Sequence, residues 1–177
     1  MRNAAFLAAG LALLLLQSNL FRIFGWFHVA GLVPSLVLPL ILFMGVHEYS
    51  LSRGAGVAFV LGYTTDLVGV APIGLYTFVY VALFLLARIA GVRLAAQTTM
   101  MQFVLAVAFT LVQSIMVLVL LAIFGRDAAY VLRALYPLAL PHVLATGAVA
   151  PLVFSLARRL HGAIGPGTRA EAGWARP

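Results

Sequence analysis

Any acid–base or metal chemistry in this chain would have to be built from four acids and four histidines. The acids are Glu48, Asp66, Asp127 and Glu171; the histidines are His28, His47, His142 and His161. No two acids share a helical face, and no His-Glu-x-x-His pattern or Cys/His cluster occurs, so neither paired-carboxylate chemistry nor a metal site is expected. The absence of cysteine removes disulfides and thiolate chemistry. Ser114 and Ser155 have no acid–base partner nearby in sequence, and there is no G-x-S-x-G and no phosphate-cradling Gly-rich loop. His47, Glu48 and Asp66 could form a proton relay between two helices; in the plainer reading His47 and Glu48 are interfacial residues that close a helix. His142, next to Pro141, reads as a packed or water-lined histidine rather than a ligand.

Asp66 is the acid with the most telling surroundings. The apolar run Gly54–Leu61 precedes it, and the run Leu75–Ala87 follows it. A carboxylate near hydrocarbon costs on the order of 2.5–3.5 kcal/mol on insertion scales, so it must face protein or water. Between the two runs lie Gly69, Pro72 and Gly74, residue types that favour a tight turn. The stretch therefore reads as helix, acidic helix end, turn, helix. Asp66 either bonds the turn amides between Gly69 and Gly74 and fixes the hairpin, or offers a docking point to a partner protein, and the two can coexist.

The elements that position these groups are dictated by composition. The chain is 64% hydrophobic and 8% charged, with a mean hydropathy of +1.13. A soluble domain carries about 25% charged residues, so this chain cannot cover a water-facing surface. The expected fold is an all-α integral membrane protein, a bundle of about six transmembrane helices occupying residues 1–160, with a disordered cytoplasmic tail at 161–177. The spans are placed at Asn3–Phe21, Leu32–Tyr49, Gly54–Asp66, Gly74–Ile89, Thr98–Phe124 and Pro137–Leu156. The first is read as a retained helix rather than a cleaved signal peptide, because no small-residue cleavage site follows it. Prolines at positions 34, 39, 137, 141 and 151 predict bends in spans two and six.

All eleven basic residues are arginine, and the net charge is +7. Their spread over loops and termini speaks for helix-flanking charges, not for nucleic acid. With the N-terminus inside, Arg2, Arg53, Arg88, Arg93, Arg158, Arg159, Arg169 and Arg176 fall on the cytoplasmic side, against Arg22, Arg126 and Arg133 outside, which favours both termini inside. Small residues recur every fourth position at Ala4, Ala8 and Ala12 and at Gly54, Ala58 and Gly62, so each set forms a face that lets another helix approach closely.

The motif Gly62, Asp66, Pro72 and Gly74 resembles the signature of the rod shape-determining protein MreD family, in which a glycine-rich span ends in an acid followed by a Pro-(Leu/Ile)-Gly turn. Tyr63-Thr64-Thr65 departs from the apolar residues usual before that acid, while Leu16–Asn19 is similar to the family's first span. The resemblance implies a non-enzymatic subunit of the cell-elongation machinery in the bacterial inner membrane, without cofactor or metal. Its implied partners are an MreC-type bitopic protein and, indirectly, the MreB filament, RodA and a class B penicillin-binding transpeptidase that builds peptidoglycan. The family is also similar in fold to the substrate-binding subunits of energy-coupling-factor vitamin transporters, which dock through small residues on the first helix; Ala4, Ala8 and Ala12 would suit such docking. On this reading the small-residue faces of spans one and three accept partner helices, and the Asp66–Gly74 turn is exposed to a partner. The rival expectation is a transporter subunit, with Gln102, Gln113, His142 and Thr146 converging on a ligand cavity. An intramembrane enzyme would require His47, Glu48 and Asp66 to meet.

Overall fold

A backbone surrounded by hydrocarbon must satisfy its own N–H and C=O groups, and a helix does so within one segment. The computed structural model describes residues 2–26, 33–47, 50–69, 72–90, 98–124 and 128–164, with side chains placed in all of these except 2–3, 21–26, 128–138 and 163–164. It consists of six helices, and no strand occurs among the described residues: α1 (Arg2–Trp26), α2 (Val37–Val46), α3 (Leu51–Val68), α4 (Leu75–Ile89), α5 (Thr99–Phe124) and α6 (Ala128–Ile164). Two segments are long and apolar enough to cross a membrane, Thr99–Phe124 and Ala139–Gly162; Ala4–Leu20, Val37–Val46 and Leu75–Ile89 are apolar but shorter.

The bundle is arranged around α2. Every residue from Val37 to Val46 is buried, and α2 touches all five other helices. Gln17 of α1 meets Leu36 while Phe6 meets Phe43, so α1 runs antiparallel to α2. Thr146 meets Ser35 and Phe154 meets Phe43, so α6 runs parallel to it. The ends of the bundle differ accordingly. One carries Gln17, Ser35, Asp66 and His142, and is called the Asp66 end below. The other carries Phe6, His47, Arg53, Arg88 and Arg158 and is called the arginine end.

Several boundaries depart from the sequence reading. Span two is helical only over ten residues. Such a helix is about 15 Å long, half the hydrocarbon thickness. Pro39 sits in its third position, where the amide it lacks would have had no intrahelical partner. Residues 33–35 enter as buried, non-helical chain. Span six starts at Ala128 rather than Pro137, and α6 continues through Pro137, Pro141 and Pro151. Neighbouring helices and polar side chains make proline tolerable in such a setting. The helix also passes the expected domain boundary at 161 and ends at Ile164; residues 165–177 lie outside the described residues.

The small-residue face of α3 is filled from within the chain. A Cβ on Gly54 would fall 2.2 Å from the Phe84 ring, and one on Gly62 would fall 2.5 Å from Thr77 Cα. Ala58, between them, is fully buried. Gly54, Ala58 and Gly62 therefore seat α4, and the expectation that this face receives a partner helix is corrected. Ala4, Ala8 and Ala12 lie on the exposed face of α1.

Candidate functional site

The α3–α4 hairpin closes on Asp66. α3 ends with Gly69 N–H donating to Thr65 O at 2.9 Å. After the turn, Leu75 N–H donates to Pro72 O at 3.1 Å, with Gly74 at φ +100° and ψ −14°. Those angles match the third position of a type II turn, which glycine favours. Gly74 is also the N-cap of α4 and has no side chain with which to cap it.

Asp66 supplies the cap from the preceding helix. Its Oδ2 accepts from Gly74 N–H at 3.0 Å, Thr77 N–H at 3.0 Å and Thr77 Oγ1–H at 2.7 Å. Its Oδ1 accepts from Tyr76 N–H at 2.8 Å. The residue is 2% exposed. Four donors and the positive end of the α4 dipole thus surround a carboxylate otherwise costly to bury. Gly62, one turn earlier on the same face, makes this possible: any side chain there would strike the backbone of Tyr76 and Thr77. The carboxyl group is turned inward and is not an exposed docking point. The turn itself is exposed, with Ile73 at 73%.

A second polar cluster secures the irregular entry to α2. Ser35 N–H donates to Thr146 Oγ1 at 3.0 Å, and Leu36 N–H donates to Gln17 Oε1 at 2.9 Å. Thr146 Oγ1 in turn donates to His142 O at 2.8 Å. His142 Nδ1 lies 2.7 Å from Val33 O; a carbonyl only accepts, so Nδ1 carries the hydrogen. Three side chains from α1 and α6 thereby stand in for the helical bonds that residues 33–36 lack. The buried Tyr80 has Ser35 and Thr65 as polar neighbours, which places it between this cluster and the Asp66 clasp.

At the arginine end the cluster is aromatic. The rings of Phe6 and Phe43 stack at 6.2 Å, His47 stacks on Phe43 at 3.9 Å, and Phe154 meets Phe43 edge-on at 6.0 Å. His161 packs 6.3 Å from both Phe43 and His47. These rings fasten α1, α2 and α6 together.

The sequence profile of the rod shape-determining protein MreD matches residues 3–160. The chain belongs to the MreD family. Membership carries a role in rod shape determination and places the chain among shape-determining structural proteins of the membrane. No individual curated protein and no solved structure gives a significant match.

The motif Gly62, Asp66, Pro72 and Gly74 of this MreD member comes together in space through the Asp66 and Pro72 hydrogen bonds and the close approach at Gly62. The proposed proton relay is not assembled. His47 lies three residues before the N-cap of α3, while Asp66 lies in the last turn of that helix. The 18 residues of α3 span about 27 Å. Glu48 lies outside the described residues, as do His28 and Asp127. The four polar groups of the transporter reading do not converge either. His142 and Thr146 bind the chain's own backbone. Gln102 and Gln113 are both buried on α5, eleven residues and so about 16 Å apart. No group of three or more metal-binding side chains occurs among the described residues. Sequence reasoning reaches Gln17 only as part of Leu16–Asn19 and misses its bond from the Leu36 N–H. Its only local signal is a glutamine one turn inside the end of an apolar run.

Proposed function

We propose that this MreD-family chain is a non-enzymatic scaffold of the elongation machinery. On this reading its six helices cross the bacterial inner membrane six times, and both termini are cytoplasmic. It holds an MreC-type bitopic protein in the bilayer and, through it, influences the MreB filament, RodA and its class B transpeptidase. The supporting observation is the use made of four polar side chains: the buried Asp66 and Thr146 and the half-buried Gln17 and His142 all bond backbone of the same chain. Groups occupied in this way build a fixed shape rather than a reaction centre. Scaffolding also requires a face that a partner helix can approach, and Ala4, Ala8 and Ala12 offer one on α1.

The test is steric. Ala8→Leu with Ala12→Leu should leave the protein at its normal membrane level, because both residues are exposed. Cross-linking to MreC should fall by tenfold or more, about 1.4 kcal/mol of lost association. Unchanged cross-linking together with a normal rod shape would rule out this face as the contact.

A further inference from the structure

Among the residues whose side chains are placed, the arginines lie toward one end of the bundle. Arg53 opens α3, Arg88 lies in the last turn of α4, and Arg158 and Arg159 lie near the end of α6. These three helix ends gather around the end of α2. The Arg88 amide nitrogen is 3.7 Å from where a Gly45 Cβ would be, and Arg158 lies within electrostatic reach of His47. Asp66, at the opposite end and fully engaged there, is the only acid among the described residues. Arg53 and Arg159 each lie on a helix face that is apolar toward the middle of the bundle. Val60, seven residues inward of Arg53, is 39% exposed, and Leu152 and Leu156, seven and three residues inward of Arg159, are 72% and 48% exposed.

We propose that the arginine end binds anionic phospholipid, with Arg53, Arg158 and Arg159 engaging the headgroup phosphate and the exposed apolar side chains inward of them, Val60, Leu152 and Leu156, receiving the acyl chains. A guanidinium fork matches the oxygens of a phosphate in two parallel bonds, which a lysine ammonium does not. Arg53, Arg158 and Arg159 are exposed, so their tips can reach a headgroup. Apolar surface inward of the charges on the same helix faces favours a lipid over an acidic soluble protein, whose docking would not need it. Attraction of this kind amounts to about a fivefold gain in affinity per arginine and is screened by salt. The proposal does not depend on the scaffold reading.

The experiment uses the full chain in neutral detergent, offered dioleoyl phosphatidylglycerol or dioleoyl phosphatidylcholine. Retained lipid is counted by native mass spectrometry, and thermal unfolding is followed in parallel. Phosphatidylglycerol should be retained in preference and should raise the melting temperature; 0.5 M salt should collapse that preference. The triple variant R53Q/R158Q/R159Q should lose it by tenfold or more, the triple lysine variant should keep part of it, and Arg22→Gln at the other end should keep all of it. Equal retention of the two lipids, or a preference that survives the triple glutamine change, overturns the proposal. So does an equal stabilisation by inorganic phosphate, which would indicate a free-anion site. Loss of an acidic protein partner by the triple variant, with lipid retention unchanged, would make the rim a protein contact and also overturn it. Should the triple variant fail to fold, a salt-insensitive preference in the unmodified protein serves as the contrary result.

Discussion

At Asp66 the chemistry is acceptor chemistry: two oxygens receive four hydrogens, three of them on Oδ2. Asparagine offers one oxygen. Placed at Oδ2 it keeps three bonds, but its amide then meets the Tyr76 N–H as donor against donor. Asp66→Asn should therefore destabilise the hairpin by about 1–3 kcal/mol, and Asp66→Ala by about 3–5 kcal/mol. Thermal unfolding in micelles would measure both; two unchanged melting temperatures would mean that the clasp carries no stability. Gly62 and Gly56 make a matched pair on the same helix. A methyl group at Gly62 meets backbone that cannot yield, so Gly62→Ala should cost about 1–3 kcal/mol. Gly56 has nothing within 4 Å, so Gly56→Ala should be neutral or stabilising by up to about 1 kcal/mol. An equal response of the two would mean that the close approach of α3 and α4 is not what holds the clasp.

Among the elements, α2 shows where sequence reasoning reached and where it stopped. The α3–α4 hairpin was legible because its parts are local: an acid, two glycines and a proline lie within thirteen residues of Gly62. The shortness of α2 was not legible. An apolar run of the right length reads as a full span whether or not its first third is helical, and the prolines signalled irregularity without its form. The groups that make the irregular entry possible lie far along the chain. His142 is 109 residues from Val33, and Thr146 is 111 from Ser35, so no spacing rule links them. The faces of α3 and α1 carry the same small-residue pattern, yet one is filled by α4 and the other is exposed, a difference only the tertiary arrangement reveals. At this scale Thr146→Val, which preserves shape but leaves the Ser35 N–H without its acceptor, should lower stability by about 1–3 kcal/mol. Thr146→Ser, which keeps the hydroxyl, should lose less than half as much. Amide exchange at Ser35 would register the change locally, and equal protection in the two variants would contradict the role given to the hydroxyl.

In the whole molecule Asp66, Gln17, His142 and Thr146 bind backbone inside the bundle, while Ala4, Ala8 and Ala12 stay exposed on α1. On the proposed scaffold function, shape and partner contact reside in different residues. The most direct measurement compares Asp66→Ala with the unmodified protein in two readouts on the same membranes: melting temperature, and MreC recovered per mole of folded chain. The clasp account predicts a lower melting temperature and less folded protein, with an unchanged amount of MreC per folded chain. A variant that melts like the unmodified protein but no longer recovers MreC would contradict it, because Asp66 would then be serving the partner and not the fold.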